Sequence, residues 1–454
     1  MKKYRLFQNS LISGTLLLTG TGVASRFIGF YYKIFLSRTI GAEGLGIYQL
    51  VFPVFALFLS VSAAGIQTSI SRFTAGCARD RQAKGYLTAG LSLSVTLALM
   101  GMFIIRANAD WFCHVMMEDV NGAGLLHIMS LAIPLSAVHS CINGYYYGLK
   151  KAGIPAFSQL FEQFVRVSGV WLMMQVAAKQ GQTPTPAHAV WGLVIGEVGA
   201  TLFCLTAMLT SQPARQTAKR HAVTRYLPAL RHLAGYYKNL LSLAIPLTAN
   251  RLLGSIFTSL ESLLIPLSLR AFGYTASDAL SVYGILTGMV FSTIMFPAVL
   301  SNSLSVMLLP AISNACARGR VDLVRHAVRR TAEGCLLLGL ICTLGFLLCG
   351  NWIGVHLFHN TLAGFYLETL AWICPFIFLG STLGSILHGL GKATTTLLIN
   401  LCASSVRILF IYLGIPLAGL RAYLWGMVIS QIFAACAAWL CIRQNVRKCI
   451  RISE

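Results

Sequence analysis

The chain has 454 residues, of which 56% are hydrophobic and only 11% are charged. Soluble domains carry roughly 25% charged residues, so this composition excludes an ordinary soluble protein. The formal net charge of +22 would indicate nucleic-acid binding in a soluble chain. Cationic loops that set the orientation of a membrane protein explain it better here, and we expect no nucleic-acid partner.

Apolar runs recur along the whole chain, each close to the roughly 20 residues that a helix needs to cross a bilayer. Strand-like alternation is absent from the sequence. The predicted fold class is therefore all-α, a polytopic membrane protein with about twelve transmembrane helices. The predicted spans are 9–36, 44–71, 86–106, 122–148, 153–178, 188–210, 238–268, 280–309, 331–350, 362–388, 393–415 and 419–442.

Positive charge marks one side of the membrane. Most of the 35 lysines and arginines lie at the N-terminus, in the even-numbered connections between spans and in the C-terminal tail. The opposite side holds few cations and carries Asp110, Glu118, Asp119 and Asp278. The positive-inside rule predicts that both termini and the central connection are cytoplasmic in this multi-pass protein.

A long polar connection, residues 211–237, predicts the domain organisation. Residues 1–210 form an N-terminal six-helix lobe, residues 211–237 a cytoplasmic linker, residues 238–442 a C-terminal six-helix lobe and residues 443–454 a basic cytoplasmic tail. Because each lobe has six spans, both lobes enter the membrane from the same side. This is the parallel-repeat arrangement of transporters that alternate access around a midplane site.

The two lobes are internal copies of each other. Residues 134–167 align with residues 375–408 at a constant offset of 241. Two shorter anchors support the repeat in the same order, since residues 191–197 resemble 425–431 and residues 76–81 resemble 315–320. The matched pairs are Pro134 with Pro375, Gly148 with Gly389, Leu149 with Leu390, Lys151 with Lys392 and Arg166 with Arg407.

Several charged residues lie inside the predicted spans, where a charge is costly. Glu162 lies one turn before Arg166 as a helical partner, whereas Ala403 occupies the equivalent place beside Arg407. The arginines outnumber nearby acids, which indicates an anionic substrate, and the guanidinium fork suits phosphate. The alternative for each arginine is an inter-helix ion pair or a side chain that reaches the membrane interface. The arginines are Arg26, Arg166, Arg251 and Arg407, and the acids are Glu162, Glu197 and Glu261.

Prolines and one glycine inside the spans are candidate gating kinks, because proline removes a helical hydrogen bond. Ordinary packing kinks are the alternative at each position. The candidates are Pro53, Gly65, Pro246, Pro266 and Pro297.

No catalytic or cofactor-binding pattern is evident. His356 and His359 form an isolated HxxH in an outward connection, and we expect no metal there. The sequence has no HExxH motif and no phosphate-binding loop. We therefore expect a protein that is not an enzyme, with no catalytic residues, no metal and no ATP-driven step.

Three stretches carry a family resemblance. They are "SRFIGFYYKIFLSRTIGAEGLGIYQLVFP" at 25–53, "SAAGIQTSISRF" at 62–73 and "ESLLIPLSLRAFGYTASDALSVYGILTGMVF" at 261–291. The chain resembles the stage V sporulation protein B-like flippases. These form part of the polysaccharide-exporter branch of the multidrug/oligosaccharidyl-lipid/polysaccharide (MOP) superfamily. The resemblance covers nearly the whole chain and implies a MATE-like two-lobe fold.

The resemblance also implies a function and a site. The expected activity is flipping of an undecaprenyl-pyrophosphate-linked saccharide across the plasma membrane, driven by membrane potential or a coupled ion and without a cofactor. Arg26 and Gly29 fit the "SRxxGxxR" pattern of the related lipid II flippases, while Tyr32, followed by Lys33, stands at the later arginine position. Arg26 is expected to bind the pyrophosphate in a cavity between the lobes, helped by Arg166, Arg251 and Arg407. Glu261 is the candidate for ion coupling.

Two alternatives remain open. A cation-coupled multidrug exporter of the same superfamily would use a more apolar pocket and an acid that couples transport to a cation. A membrane-embedded transferase would need acids or histidines clustered at one membrane face, a pattern that the sequence does not show. The glycan, the coupling ion and a role in growth or sporulation are not specified by the sequence.

Overall fold

The computed structural model describes residues 2–77, 80–117, 122–210, 233–302 and 321–453, together with Ser305, Leu308 and Ile312. Every regular element in these residues is helical, which confirms the predicted all-α class. Most of the predicted linker and the repeat anchor at 315–320 lie outside the described residues. The α-helices are α1 Lys2–Leu59, α2 Gly65–Gly76, α3 Asp80–Ala107, α4 Ala109–Met117, α5 Ala123–Ser130, α6 Ala132–Gly148, α7 Gly153–Lys179, α8 Pro186–Thr210, α9 Leu233–Phe272, α10 Ala276–Gly284, α11 Phe291–Met295, α12 Val321–Phe358, α13 Thr361–Leu370, α14 Cys374–Gly389, α15 Ala393–Leu409, α16 Ile415–Ala418 and α17 Leu420–Ser453.

The long α1 consists of two helices that meet at Gly41. Gly41 has φ 72° and ψ −177°, a backbone conformation that glycine adopts readily and that side-chain-bearing residues avoid. The break falls in the short connection predicted between the first two spans. Three short π-helical segments, Ser60–Ala64, Ile285–Val290 and Phe410–Gly414, interrupt other helices, and a 3-10 turn lies at Ala371–Ile373.

Ten helical stretches of the described residues are long and apolar enough to cross a membrane. The first of them, Leu17–Gly76, has 60 residues, about three times the length of a single crossing, and Gly41 divides it. Helix α7 is not among the ten, because Glu162 and Arg166 lower the hydropathy of its central part. The chain is a multi-pass membrane protein, and the ten stretches are compatible with the twelve predicted spans.

The chain divides into two compact units. Unit 1 comprises Met1–Tyr32 and Leu50–Ile256, and unit 2 comprises Lys33–Gln49 and Phe257–Glu454. The units differ from the predicted lobes in two places, since residues 33–49 belong to unit 2 and residues 238–256 to unit 1. The predicted lobe boundaries and the cytoplasmic linker stay predictions.

Each unit has its own apolar core. In unit 1 the side chains of Ile66 and Ile70 from α2 pack with Leu87 from α3 and Ile142 from α6. In unit 2 the core combines side chains from α12, α14 and α17, including Val324, Ile386 and Ile442. Helices α6 and α17 contribute to these cores and also carry His139 and Tyr423, which are described below.

Two of the five kink candidates coincide with interruptions of helical geometry. Gly65 begins α2 directly after the π-helical segment Ser60–Ala64. Pro297 lies in the turn that follows α11, where the Phe296 backbone N–H donates to the Thr293 carbonyl at 3.2 Å. Pro53 lies inside α1, and Pro246 and Pro266 lie inside the continuous α9. A gating role for any of the five stays a prediction.

Candidate functional site

Unit 1 contains a buried cluster of four ionisable side chains from three helices. Arg166 donates a hydrogen bond from Nη2 to Oε1 of Glu162, one turn earlier on α7. Oε2 of Glu197 on α8 lies 3.0 Å from Nδ1 of His139 on α6. Glu197 is only 5% exposed. We name these four residues the unit 1 cluster.

The packing of α7 against α8 explains how the unit 1 cluster can form. A β-carbon on Gly196 of α8 would lie 3.1 Å from both Cβ and Nε of Arg166. The same face of α8 continues through Gly192 and Gly199, where a β-carbon would meet Val170 and Val165 of α7. Small residues let membrane helices approach closely. The glycine face therefore allows the Arg166 side chain to lie against α8.

The four side chains act on each other electrostatically. His139 interacts with Glu197, Glu162 and Arg166, and Glu162 interacts with Arg166, Glu197 and His139. Such interactions are strong in a poorly solvated interior, because little water screens them. The unit 1 cluster is therefore one coupled group rather than two independent pairs.

Unit 2 holds a different buried arrangement around Glu261 of α9. Arg407, near the end of α15, donates from Nε to Oε1 of Glu261 at 2.8 Å. The hydroxyl of Tyr423 on α17 donates to the same carboxylate oxygen at 2.7 Å. Arg407 also donates from Nη2 to the Ser404 hydroxyl at 2.9 Å. This unit 2 cluster joins three helices through one carboxylate.

The structure separates the four predicted substrate-binding arginines into two kinds. Arg166 and Arg407 are mostly buried and paired with the carboxylates of Glu162 and Glu261. Arg26 on α1 and Arg251 on α9 are both exposed and belong to unit 1. Neither forms a hydrogen bond or an ion pair with any residue in the described part of the chain.

A lysine inside unit 2 adds a further intramembrane charge. Lys33 on α1 donates from Nζ to the Ser292 hydroxyl at 2.7 Å. Ser292 follows the π-helical segment Ile285–Val290 and donates in turn to the Thr287 carbonyl at 3.3 Å. π-helical turns are frequent at functional sites, and here the local distortion accompanies a polar chain inside an apolar unit.

Sequence reasoning missed His139 and Tyr423 as members of the two clusters. Both lie within largely apolar runs, a pattern that also fits ordinary satisfied side chains. The repeat offset offers a signal for His139, because Gly380 occupies the equivalent position in the second copy. No comparable signal distinguishes Tyr423 from the other tyrosines. Among the described residues, no three His, Cys, Asp or Glu side chains lie close enough together to hold a metal ion.

Comparisons with known proteins agree with this architecture. The family described as polysaccharide biosynthesis protein matches residues 11–316, and the MatE family matches residues 252–413. Stage V sporulation protein B of Bacillus subtilis (strain 168) is 23% identical over 437 residues, which cover 94% of this chain and 83% of that protein. Lipid II flippase MurJ of the same organism is 24% identical over 415 residues, which cover 85% of this chain and 73% of that protein.

A solved structure shows the same fold. An inward-facing multidrug resistance MATE family transporter of the MOP superfamily matches with a TM-score of 0.77 at 16% identity. The match covers 98% of this chain and 99% of that structure. These findings confirm the resemblance stated from the sequence and the MATE-like fold that it implied.

Proposed function

Because the chain belongs to the polysaccharide biosynthesis protein family, we propose that it is a flippase for an undecaprenyl-pyrophosphate-linked saccharide. The cargo would be a cell-wall or polysaccharide precursor similar to lipid II, carried across the plasma membrane by alternating access. The similarity to stage V sporulation protein B and to a lipid II flippase supports this substrate class. A protein of this kind would move its cargo without chemical change and would not be an enzyme.

The observation that carries the proposal is the state of Arg26 and Arg251. Both lie in helices apolar enough to span the membrane, and both are exposed and unpaired within the described residues. An arginine in the centre of a membrane helix costs about 2.5–3.5 kcal/mol on insertion scales. An anionic headgroup or water must therefore reach these guanidinium groups. A pyrophosphate supplies the negative charge and the paired oxygen acceptors that a guanidinium binds best.

The other two arginines have a conditional role in this proposal. Arg166 and Arg407 already bind carboxylates, so substrate would have to compete with Glu162 and Glu261 for them. We therefore assign first contact with the pyrophosphate to Arg26 and Arg251. Arg166 and Arg407 contribute in a later conformation, when the carboxylate contacts rearrange.

Membrane potential or a coupled ion would supply the energy, with Glu261 as the coupling group. A cation that binds Glu261 would compete with Arg407 for the same carboxylate oxygen. If this competition drives the cycle, Glu261→Gln should flatten the dependence of flipping on sodium or pH. A Glu261→Gln protein that folds and keeps both dependences would remove Glu261 from the coupling step.

A multidrug exporter is the second candidate, and the structural match to a multidrug transporter and the MatE match favour it. Such a protein would bind cationic, largely apolar compounds. Exposed, unpaired arginines would repel those compounds, since like charges in a poorly screened site are unfavourable. For this reason we place the flippase first.

Reconstitution into liposomes tests the two candidates side by side. Purified protein would be assayed for flipping of a defined polyprenyl-pyrophosphate-linked sugar and for export of a cationic dye. The flippase proposal expects sugar-lipid flipping that Arg26→Gln and Arg251→Gln each reduce. Arg325→Gln, at an exposed arginine in α12, is the matched control and should leave the rate unchanged. Dye export without sugar-lipid flipping would establish the second candidate.

The proposed orientation places both termini and residues 211–237 in the cytoplasm, with residues 107–120 and 351–361 outside. Single cysteines introduced into a cysteine-free variant would report this in intact cells through an impermeant thiol reagent. Labels at 351–361 without permeabilisation, and at 211–237 only after it, are the expected pattern. Labelling of 211–237 in intact cells would overturn the orientation.

A further inference from the structure

The unit 1 cluster contains more acid than base. Glu162 and Glu197 contribute two carboxylates, and Arg166 contributes one permanent positive charge. With a neutral His139 the buried cluster would carry a net charge of −1. An uncompensated buried charge costs several kcal/mol even after the surroundings relax. One bound proton, held between His139 and Glu197, makes the cluster neutral.

The second half of the chain contains a neutral version of this arrangement. The constant repeat offset places Gly380 at the position of His139 and Ala403 at that of Glu162, and the second anchor places Gln431 at that of Glu197. The structure supports this correspondence, because a β-carbon on Gly380 would lie 4.0 Å from Oε1 of Gln431. One copy of the duplicated fold therefore pairs histidine with glutamate where the other pairs glycine with glutamine.

We propose that His139 and Glu197 form a proton-binding site, which takes up and releases one proton in each transport cycle. The proton is held by this pair, whose Nδ1 and Oε2 atoms are 3.0 Å apart and are both buried without an aligned hydrogen bond among the described residues. The other ionisable groups that face the site are Glu162 and Arg166 on α7. Cys204 on α8 interacts with Glu162 and donates its thiol to Ser158 and Asn143, so it adds no charge.

The part of this inference that concerns coupling rests on the proposed transport function. Loss of the proton leaves a buried negative charge shared by three helices. A conformation in which water reaches Glu197 then becomes favoured, because the conformation that solvates a charge best is the one that the charge stabilises. The packing of α6, α7 and α8 would shift with proton release, and the cycle would move one proton with each cargo.

A measurement on the purified full-length protein tests the site without requiring transport. Proton uptake would be titrated in detergent across neutral pH for the wild type and for Glu197→Gln, which copies Gln431 of the second half. Neutralising Glu197 leaves one acid and one arginine with a neutral histidine. We expect Glu197→Gln to take up about one proton fewer than the wild type.

Two further variants keep the titration decisive. Glu162→Gln also removes the surplus acid, so it should lose the same proton and can replace Glu197→Gln if that variant does not fold. His127→Asn removes an exposed histidine outside the cluster, and any change in its uptake belongs to His127 alone. Equal proton uptake by the wild type, Glu197→Gln and Glu162→Gln would overturn the proton-binding site.

A transport assay distinguishes this inference from the proposed function. In liposomes with an imposed proton gradient, wild-type flipping should change with the gradient and Glu197→Gln flipping should not. If the protein flips no sugar-lipid but the titration shows the extra proton, the site stands and the flippase proposal fails. If flipping by the wild type and by Glu197→Gln responds equally to the gradient, the proton coupling is overturned. His139 and Glu197 would then bind a proton without coupling it to transport.

Discussion

The two buried clusters contain arginines at equivalent positions of the repeat, but each arginine pairs with a different kind of acid. Arg166 and Arg407 are repeat equivalents, yet Arg166 pairs with Glu162 on its own helix and Arg407 pairs with Glu261 from α9. In unit 1 the local pair leaves Glu197 to interact with His139. In unit 2 one carboxylate joins three helices and no surplus acid remains among the described residues of the cluster.

This difference shows how a duplicated fold can assign separate tasks to equivalent positions. A pair within one helix constrains little beyond that helix, since its members are neighbours on any α-helical surface. A pair between helices fixes their relative position and fails when either helix moves. The unit 2 cluster therefore fixes the relative position of α9, α15 and α17 in this conformation. The unit 1 cluster is suited to changing its charge.

The largest loss of stability is expected when the ion pair between Arg407 and Glu261 is broken. Arg407→Gln would leave the Glu261 carboxylate buried with Tyr423 as its remaining donor. Removing one partner of a buried pair costs roughly 3–5 kcal/mol, and thermal unfolding in detergent would measure the loss. The Glu261→Gln/Arg407→Gln double variant removes both charges and should recover much of the stability. A double variant as unstable as the single would refute the role of the ion pair.

A smaller loss of stability is expected when the arginine of the unit 1 cluster is replaced. Arg166→Gln leaves Glu162 without its helical partner, but His139 can take a proton and supply positive charge nearby. We expect a loss of about 1–3 kcal/mol, measured by the same unfolding assay. The comparison of the two arginines is the test, since equal losses for Arg166→Gln and Arg407→Gln would show that the source of the acid does not matter.

The smallest effect is expected at an exposed pair with the same local geometry. Arg329 donates from Nε to Oε1 of Glu333 at 2.9 Å, one turn apart on α12. Water screens such pairs, and they contribute about 0.3–0.5 kcal/mol. Glu333→Gln should therefore change the unfolding temperature very little. A loss as large as that of Arg166→Gln would mean that burial does not set the strength of these interactions.

The fold could be predicted from the sequence because each part of it has a local cause. Apolar length predicted the helices, while the orientation from the loop charges and the lobe boundaries from the internal repeat stay predictions. The exchanged segments, residues 33–49 and 238–256, were not predicted, since helical periodicity does not show which neighbours a helix face contacts. Gly41 marks the break in α1, but nothing in the sequence indicates that both sides of this break, from Lys33 to Gln49, belong to unit 2.

The charged residues of the site could be predicted from the sequence. The partners that they contact could be predicted less well. Arg166 and Glu162 could be paired because one turn of helix separates them. Arg407 and Glu261 are 146 residues apart, and their contact depends on the packing of α9 against α15 and α17. His139 and Glu197 come from different helices for the same reason. A sequence shows that a buried charge needs a partner, whereas only the folded chain shows which one it has.

Binding of the proposed cargo to Arg26 variants tests the central claim most directly. Affinity for a polyprenyl-pyrophosphate-linked sugar would be measured beside affinity for a neutral analogue without phosphate, with Arg325→Gln as the control. A charge-assisted hydrogen bond contributes roughly 1.5–3 kcal/mol, so Arg26→Gln should weaken the charged lipid about ten- to a hundred-fold. Arg26→Lys should retain part of the affinity, and the neutral analogue should bind all four proteins alike. Unchanged affinity of a folded Arg26→Gln protein for the charged lipid would contradict the account.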